Sequence, residues 1–130
     1  MTEPHRPTVA VLGASTDRRK FGNKSVRAHL SRGYEVFPIH PTAGKIEGLK
    51  AYPNLESVPV PTLDRITVYL PPQIGITLLE QIAAKHPKEV WLNPGSESEE
   101  LIAKAQELGL PVIQACSIVN TGAVPADFDE

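Results

Sequence analysis

Cysteine is almost missing from this chain. Cys116 is the single one among 130 residues, so no disulfide can form within the chain, and a small disulfide-stapled fold is excluded. That usage suits a reducing compartment, and the cytoplasm is the expected location. Charge of one sign is also lacking: 13 Lys and Arg stand against 15 Asp and Glu, for a net charge of -2. The chain as a whole therefore has no basic surface of the kind that nucleic acid attracts. Long hydrophobic runs are absent too. The best apolar stretches, such as residues 66–70, fall far short of the ~20 residues that a membrane helix needs. The start, residues 1–7, is polar and has no apolar core of a signal peptide. No low-complexity segment or domain linker interrupts the chain.

What remains is ordinary globular composition, with 41% hydrophobic and 22% charged residues. Residues 1–130 are expected to form one domain, able to bury roughly 65% of its unfolded surface. Proline is the unusual abundance: 13, against 9 Gly, about twice the average usage. In a compact domain those prolines must punctuate elements rather than fill them.

Five short runs rich in β-branched and aromatic residues stand at residues 8–12, 34–39, 65–70, 89–92 and 111–115. Each has the length of a strand. Between them, apolar residues recur at helical spacing: Val26 and Leu30; Leu78, Leu79, Ile82 and Ala83; Leu101, Ile102, Ala105 and Leu108. The expected helices span residues 23–32, 74–86 and 97–108. Ser96 and Glu99 have the spacing of a capping box for the last, and Gly109 with Pro111 ends it. Strands alternating with helices predict an α/β fold, a doubly wound parallel sheet of about five strands in three layers. The expected order is 3-2-1-4-5. Residues 44–64, with Pro53, Pro59 and Pro61, read as an irregular connection with at most one short helical turn. Residues 117–130 read as a partly loose acidic tail.

Pro41, Pro71, Pro72 and Pro94 each follow directly on an expected strand. They mark strand C-terminal ends, the edge where open parallel sheets bind ligands; the plainer reading is that proline only ends a strand. The first strand runs into Gly13-Ala14-Ser15-Thr16, the position of a phosphate-binding turn. The dinucleotide fingerprint is incomplete, since Ser15 and Arg18 stand where its other glycines belong. Gly22-Asn23-Lys24-Ser25 lacks the adjacent Gly-Lys of a P-loop. Charge strengthens the signal. Arg18, Arg19, Lys20, Lys24, Arg27 and Arg32 cluster around the first helix, and no acid lies between Asp17 and Glu35. A helix start favours negative charge. The last helix obeys that rule with Glu97, Glu99 and Glu100; the first breaks it, as it would if a bound anion supplied the charge. A solvated basic face is the alternative. An NAD site wants an acid at the end of the second strand, where this chain has His40-Pro41. His40 and Lys45 suit a nucleotide with an extra ribose phosphate, and both NADP and coenzyme A carry one.

A catalytic set is not evident. His5, His29, His40 and His86 form no metal-ligand pair with helical spacing, and the acids Glu99 and Glu100 are explained by their helix start. His29 reads as a surface or packing residue. Cys116 follows the fifth strand at the ligand edge. It is either a small packing residue or a thiol able to meet the pantetheine sulfur of a bound cofactor.

Taken together, Val11-Leu12-Gly13-Ala14-Ser15, Lys20-Phe21-Gly22, residues 33–38, His40-Pro41, Ile46-Glu47-Gly48, residues 52–55 and residues 90–95 form a recognisable series, with Ala105 and Gly109 before Val112-Ile113. The chain resembles the small stand-alone CoA-binding proteins, similar to the CoA-binding domain of the succinyl-CoA synthetase α-subunit, over residues 9–116. The resemblance implies a Rossmann-like fold and non-catalytic binding of CoA or an acyl-CoA at the strand C-terminal edge. It places the phosphates at Gly13, Ala14 and Ser15 and at Lys20, Phe21 and Gly22; Arg19, Asn23 and His40 are expected in the same binding set, His40 standing where the family often has Asn. Pro41 and Lys45 would border the adenosine phosphate end, and Leu70-Pro71 would lie against the nucleotide. The synthetase's active-site histidine belongs to another domain, so acyl-phosphate chemistry is not expected. Two other readings remain: an NADP-binding oxidoreductase, and a CoA-responsive regulator acting through a protein partner.

Overall fold

The computed structural model describes residues 6–129; the polar start with His5, and the terminal Glu130, lie outside the described residues. Five parallel strands make the main sheet: β1 (Thr8–Leu12), β2 (Glu35–Ile39), β5 (Arg65–Val68), β6 (Glu89–Leu92) and β7 (Val112–Gln114). A separate two-stranded antiparallel hairpin holds β3 (Lys45–Ile46) and β4 (Leu49–Lys50). The helices are α1 (Phe21–Ser31), α2 (Pro72–Gly75), α3 (Leu79–Ala84), α4 (Glu99–Glu107) and α5 (Ser117–Asn120). Short 3-10 turns occupy Ile76–Leu78 and Pro125–Phe128.

The period of two along each strand builds the layers. Ala10, Leu12, Ile66, Val68, Val90 and Leu92 pack with Leu79, Ile82, Leu101 and Ala105 of α3 and α4. Val9, Val11 and Val36 face the other way, toward Val26 of α1 and Ile46 of the hairpin. β5 is buried along its whole length, as expected for a central parallel strand covered on both faces. The result is the expected three-layer Rossmann-like fold.

The strand order differs from expectation. The sheet runs β2-β1-β5-β6-β7, which is 2-1-3-4-5 in the five main strands and not 3-2-1-4-5. The outer edge of β2, where the third strand was expected, carries a single residue of the connection instead. Tyr52 bridges to Ile39 there, its N–H donating to the Pro38 carbonyl at 2.9 Å and its carbonyl accepting from His40 N–H at 2.9 Å. The third main strand enters beside β1, where Val9–Leu12 pair with Arg65–Val68.

Residues 44–64 also hold more order than expected. Glu47 and Gly48 both have positive φ, 50° and 78°, which closes β3 on β4 through a two-residue turn of the primed type. The helix expected over 74–86 is divided into α2, the 3-10 turn and α3. The N-cap of α4 is Ser98, whose Oγ accepts from Leu101 N–H at 3.1 Å. Ser96 instead donates to the Val68 carbonyl. The tail is packed: Ile118 and Ala123 meet Ala28 of α1, and Asp129 pairs with Lys24.

Candidate functional site

A cleft of about 900 Å³ opens at the C-terminal ends of β1, β2, β5 and β6. It spans the gap between β1 and β5, on whose two sides the chain winds in opposite directions. Ligands of open α/β sheets bind at such a switch in strand order.

The turn after β1 is defined by two glycines. Gly13 has φ +89°, and a Cβ there would stand 3.0 Å from the Tyr69 backbone. At Gly22, in the first turn of α1, a Cβ would stand 2.0 Å from the Gly13 carbonyl oxygen. The helix start is therefore pressed against the turn as only glycine permits. Asn23 fixes the loop between them. Its buried Nδ2 donates to the Ser15 carbonyl at 2.9 Å and to Glu47 Oε2 at 3.1 Å, which ties the hairpin to the turn. The Ser15 hydroxyl accepts from Asp17 N–H.

The basic block divides. Arg19 forks onto Asp17, with bonds of 3.1 Å from Nε and Nη2, and this partner holds the Asp17 carboxyl down at about 2. Arg18 pairs with Glu47, and Lys24 with Asp129. Arg27 donates to Asn23 Oδ1 and to the carbonyls of Arg18 and Phe128. Lys20, the extended N-cap of α1, lines the cleft. No acid occupies the first turn of α1, and Lys20 makes no side-chain cap. Phe21 beside it is 55% exposed and lines the same rim. On the β2 side, His40 Nδ1 accepts from the N–H groups of Thr42 and Ala43 at 3.1 and 2.9 Å. In the neutral ring the proton then stands on Nε2, as a donor.

Gly13, Ala14, Ser15, Lys20, Phe21, Gly22, His40, Pro41, Leu70 and Pro71 all line the cleft. Arg19, Asn23 and Lys45 do not: Arg19 faces Asp17, Asn23 braces the loop from below, and Lys45 lies exposed on the hairpin. Pro94 and Cys116 also line it, the latter a half-buried free thiol. Leu12, Ile39, Pro53, Tyr69, Ile74, Leu78, Asn93, Gly95 and Ser96 complete the wall and are not among the residues expected from sequence. Tyr69 and Asn93 directly follow buried strands, and that position was the available signal.

Under this wall runs a closed polar network. Asn93 Nδ2 donates to Thr67 Oγ1 at 2.6 Å and to the Val68 carbonyl at 2.9 Å. Its Oδ1 accepts from Ser117 N–H at 2.9 Å. The Ser117 hydroxyl meets Thr67 Oγ1 at 2.7 Å and the Tyr69 hydroxyl at 3.0 Å. Burial pushes the Tyr69 phenol up, so it stays a neutral hydrogen-bonding group. Among the described residues, no three of His, Cys, Asp and Glu are grouped to hold a metal ion, and no helix is long and apolar enough to cross a membrane.

Comparison with known proteins bears on this cleft. A model of the CoA binding domain family matches residues 7–122. A conserved hypothetical protein from Pyrococcus furiosus is 31% identical, with a TM-score of 0.78 over 89% of this chain and 99% of that one. A Thermus thermophilus protein is 30% identical, with a TM-score of 0.81 over 90% of this chain and 89% of its own. The dinucleotide-forming acetyl-coenzyme A synthetase 1 of Ca. Korarchaeum cryptofilum, solved with phosphate and ADP, is 30% identical. It has a TM-score of 0.72 over 83% of this chain but only 25% of its own. With the family match extending over nearly the whole fold, this chain belongs to the CoA binding domain family.

Proposed function

We propose that this chain binds coenzyme A or an acyl-CoA in the cleft, without itself catalysing a reaction. The observation that carries the reading is the coincidence of the family match over residues 7–122 with a cleft at the switch in strand order. The residues present fit the cofactor. Its phosphates go to the Gly13–Ser15 turn and the Phe21 and Gly22 amides that open α1, with Lys20 supplying positive charge. His40 Nε2 is the donor at the adenosine end, and the ring of Phe21 offers a flat apolar face. Arg19, Asn23 and Lys45 act at most from outside the contact surface.

Calorimetry with CoA, dephospho-CoA, NADP and NAD side by side tests the reading. CoA is expected to bind most tightly, and dephospho-CoA more weakly because the ribose phosphate is missing. Lys20→Ala should weaken CoA roughly fivefold, the weight of one exposed ion pair of about 1 kcal/mol, and should flatten the salt dependence. Tight NADP binding without a CoA response would overturn the assignment in favour of an oxidoreductase.

A further inference from the structure

The two ends of the cleft differ in chemistry. Lys20, His40 and the α1 amides stand at the β1–β2 end. At the β5–β7 end the wall is Ile74, Leu78 and Cys116, with the 93–96 loop beneath. Among the described residues lining that end, none carries a positive charge.

Its polar groups are also committed. Both Asn93 amide hydrogens are donated, to Thr67 Oγ1 and the Val68 carbonyl, and the Ser96 hydroxyl donates to Val68 as well. The backbone N–H groups of Asn93 and Ser96 are bonded within the protein. Gly95 N–H donates to the Glu97 carboxylate at 3.4 Å, which sets a negative charge beside the loop.

Resting on the CoA reading, with the phosphates at the Lys20 end, the thiol end of the ligand meets this wall. We propose that the cleft accepts free CoA and thioesters of uncharged, apolar acyl groups and rejects acyl groups ending in a carboxylate. A carboxylate there gives up water and finds no cation to replace it, with the Glu97 carboxylate beside the same loop. An apolar acyl chain meets leucine and isoleucine instead. Discrimination by an unpaired charge needs no added contact to the favoured ligand.

Butyryl-CoA and succinyl-CoA make the test, since they differ by a methyl against a carboxylate at equal chain length. Calorimetry would compare both with free CoA, on the native chain and on Ile74→Lys, a substitution at a position 49% exposed. The expected result is that CoA and butyryl-CoA bind within a few-fold of each other, and succinyl-CoA at least ~10-fold more weakly. Ile74→Lys should narrow that gap by supplying the missing cation. Equal binding of succinyl-CoA and butyryl-CoA by a chain that binds CoA overturns the selectivity and leaves the CoA reading standing. An unchanged ratio in a folded Ile74→Lys variant also overturns it. If no CoA compound binds to the folded native chain, the underlying reading falls and the selectivity with it.

Discussion

At the scale of the residue, Gly22 says most about how the site is made. Sequence comparison with the dinucleotide fingerprint finds one glycine, Gly13, and two mismatches. The structure supplies the close-packing glycine later, at Gly22, because the loop from Ala14 to Lys20 is longer than the fingerprint allows. A methyl group at Gly22 would lie 2.0 Å from the Gly13 carbonyl oxygen, against backbone that cannot swing aside. Gly22→Ala should therefore cost ~2 kcal/mol or more, the usual range for overpacking a tight site. It should also displace the turn that the phosphates are proposed to meet. Urea unfolding reads the first effect and CoA calorimetry the second; a variant as stable as the parent would show that the helix start shifts freely. Charge is the opposite lesson. The basic block was legible as a block, but not its partners. Asp17, Glu47 and Asp129 pair with three of its six members, and two of those three acids lie far away in sequence.

At the scale of the element, the five main strands were legible because each is a short run rich in β-branched and aromatic residues, and four of the five are followed by glycine or proline. The hairpin was not. Its strands are two residues each, too short for alternation to register, and its turn uses Glu-Gly instead of the commoner Asn-Gly. Strand order was illegible for a different reason. Nothing local says on which side of β1 the third strand enters. The candidate cleft was largely legible, since sheet topology alone sends every strand end to one edge. Its floor was not, because Asn93, Thr67, Tyr69 and Ser117 meet only in three dimensions. That network joins the ends of β5 and β6 to the start of α5. Asn93→Ala removes two donated bonds and strands the Ser117 N–H. An unmet buried donor costs about 1–3 kcal/mol, so the variant should lose ~2 kcal/mol or more. Amide exchange should quicken first in α5. Unchanged exchange there would mean that α5 is held by its apolar contacts with α1 alone.

At the scale of the whole molecule, the sheet has two edges with different work. The proposed ligand edge carries the turn, Lys20 and the neutral wall. The opposite edge is closed by Arg65, which is 4% exposed. Its Nε donates to Glu89 Oε1 at 2.9 Å, Nη2 to Asn120 Oδ1 at 2.6 Å, and Nη1 lies 3.3 Å from His29 Nε2. The rings of Tyr34 and Trp91 flank the guanidinium. His29 is fully buried, with Nδ1 2.8 Å from the Ser25 carbonyl. An imidazole that donates from Nδ1 and accepts at Nε2 from an arginine must be neutral. Burial first, and the Arg65 charge second, hold its pKa down at about 4 from an ordinary 6.5. Between those values the unfolded chain binds a proton that the folded chain refuses, so stability rises with pH. Acidification from about 6.5 toward 4 should cost ~3 kcal/mol in all. Asp17, held at about 2 from an ordinary 3.8, begins to lose its own contribution only at the acid end of that window, as the unfolded carboxyl takes up a proton. Urea unfolding across the window should show the loss, and the His29 ring should keep a neutral NMR signature until the fold itself fails. A flat stability profile, or a ring that titrates near its ordinary value in the folded chain, would mean that the Arg65 edge admits water and a proton.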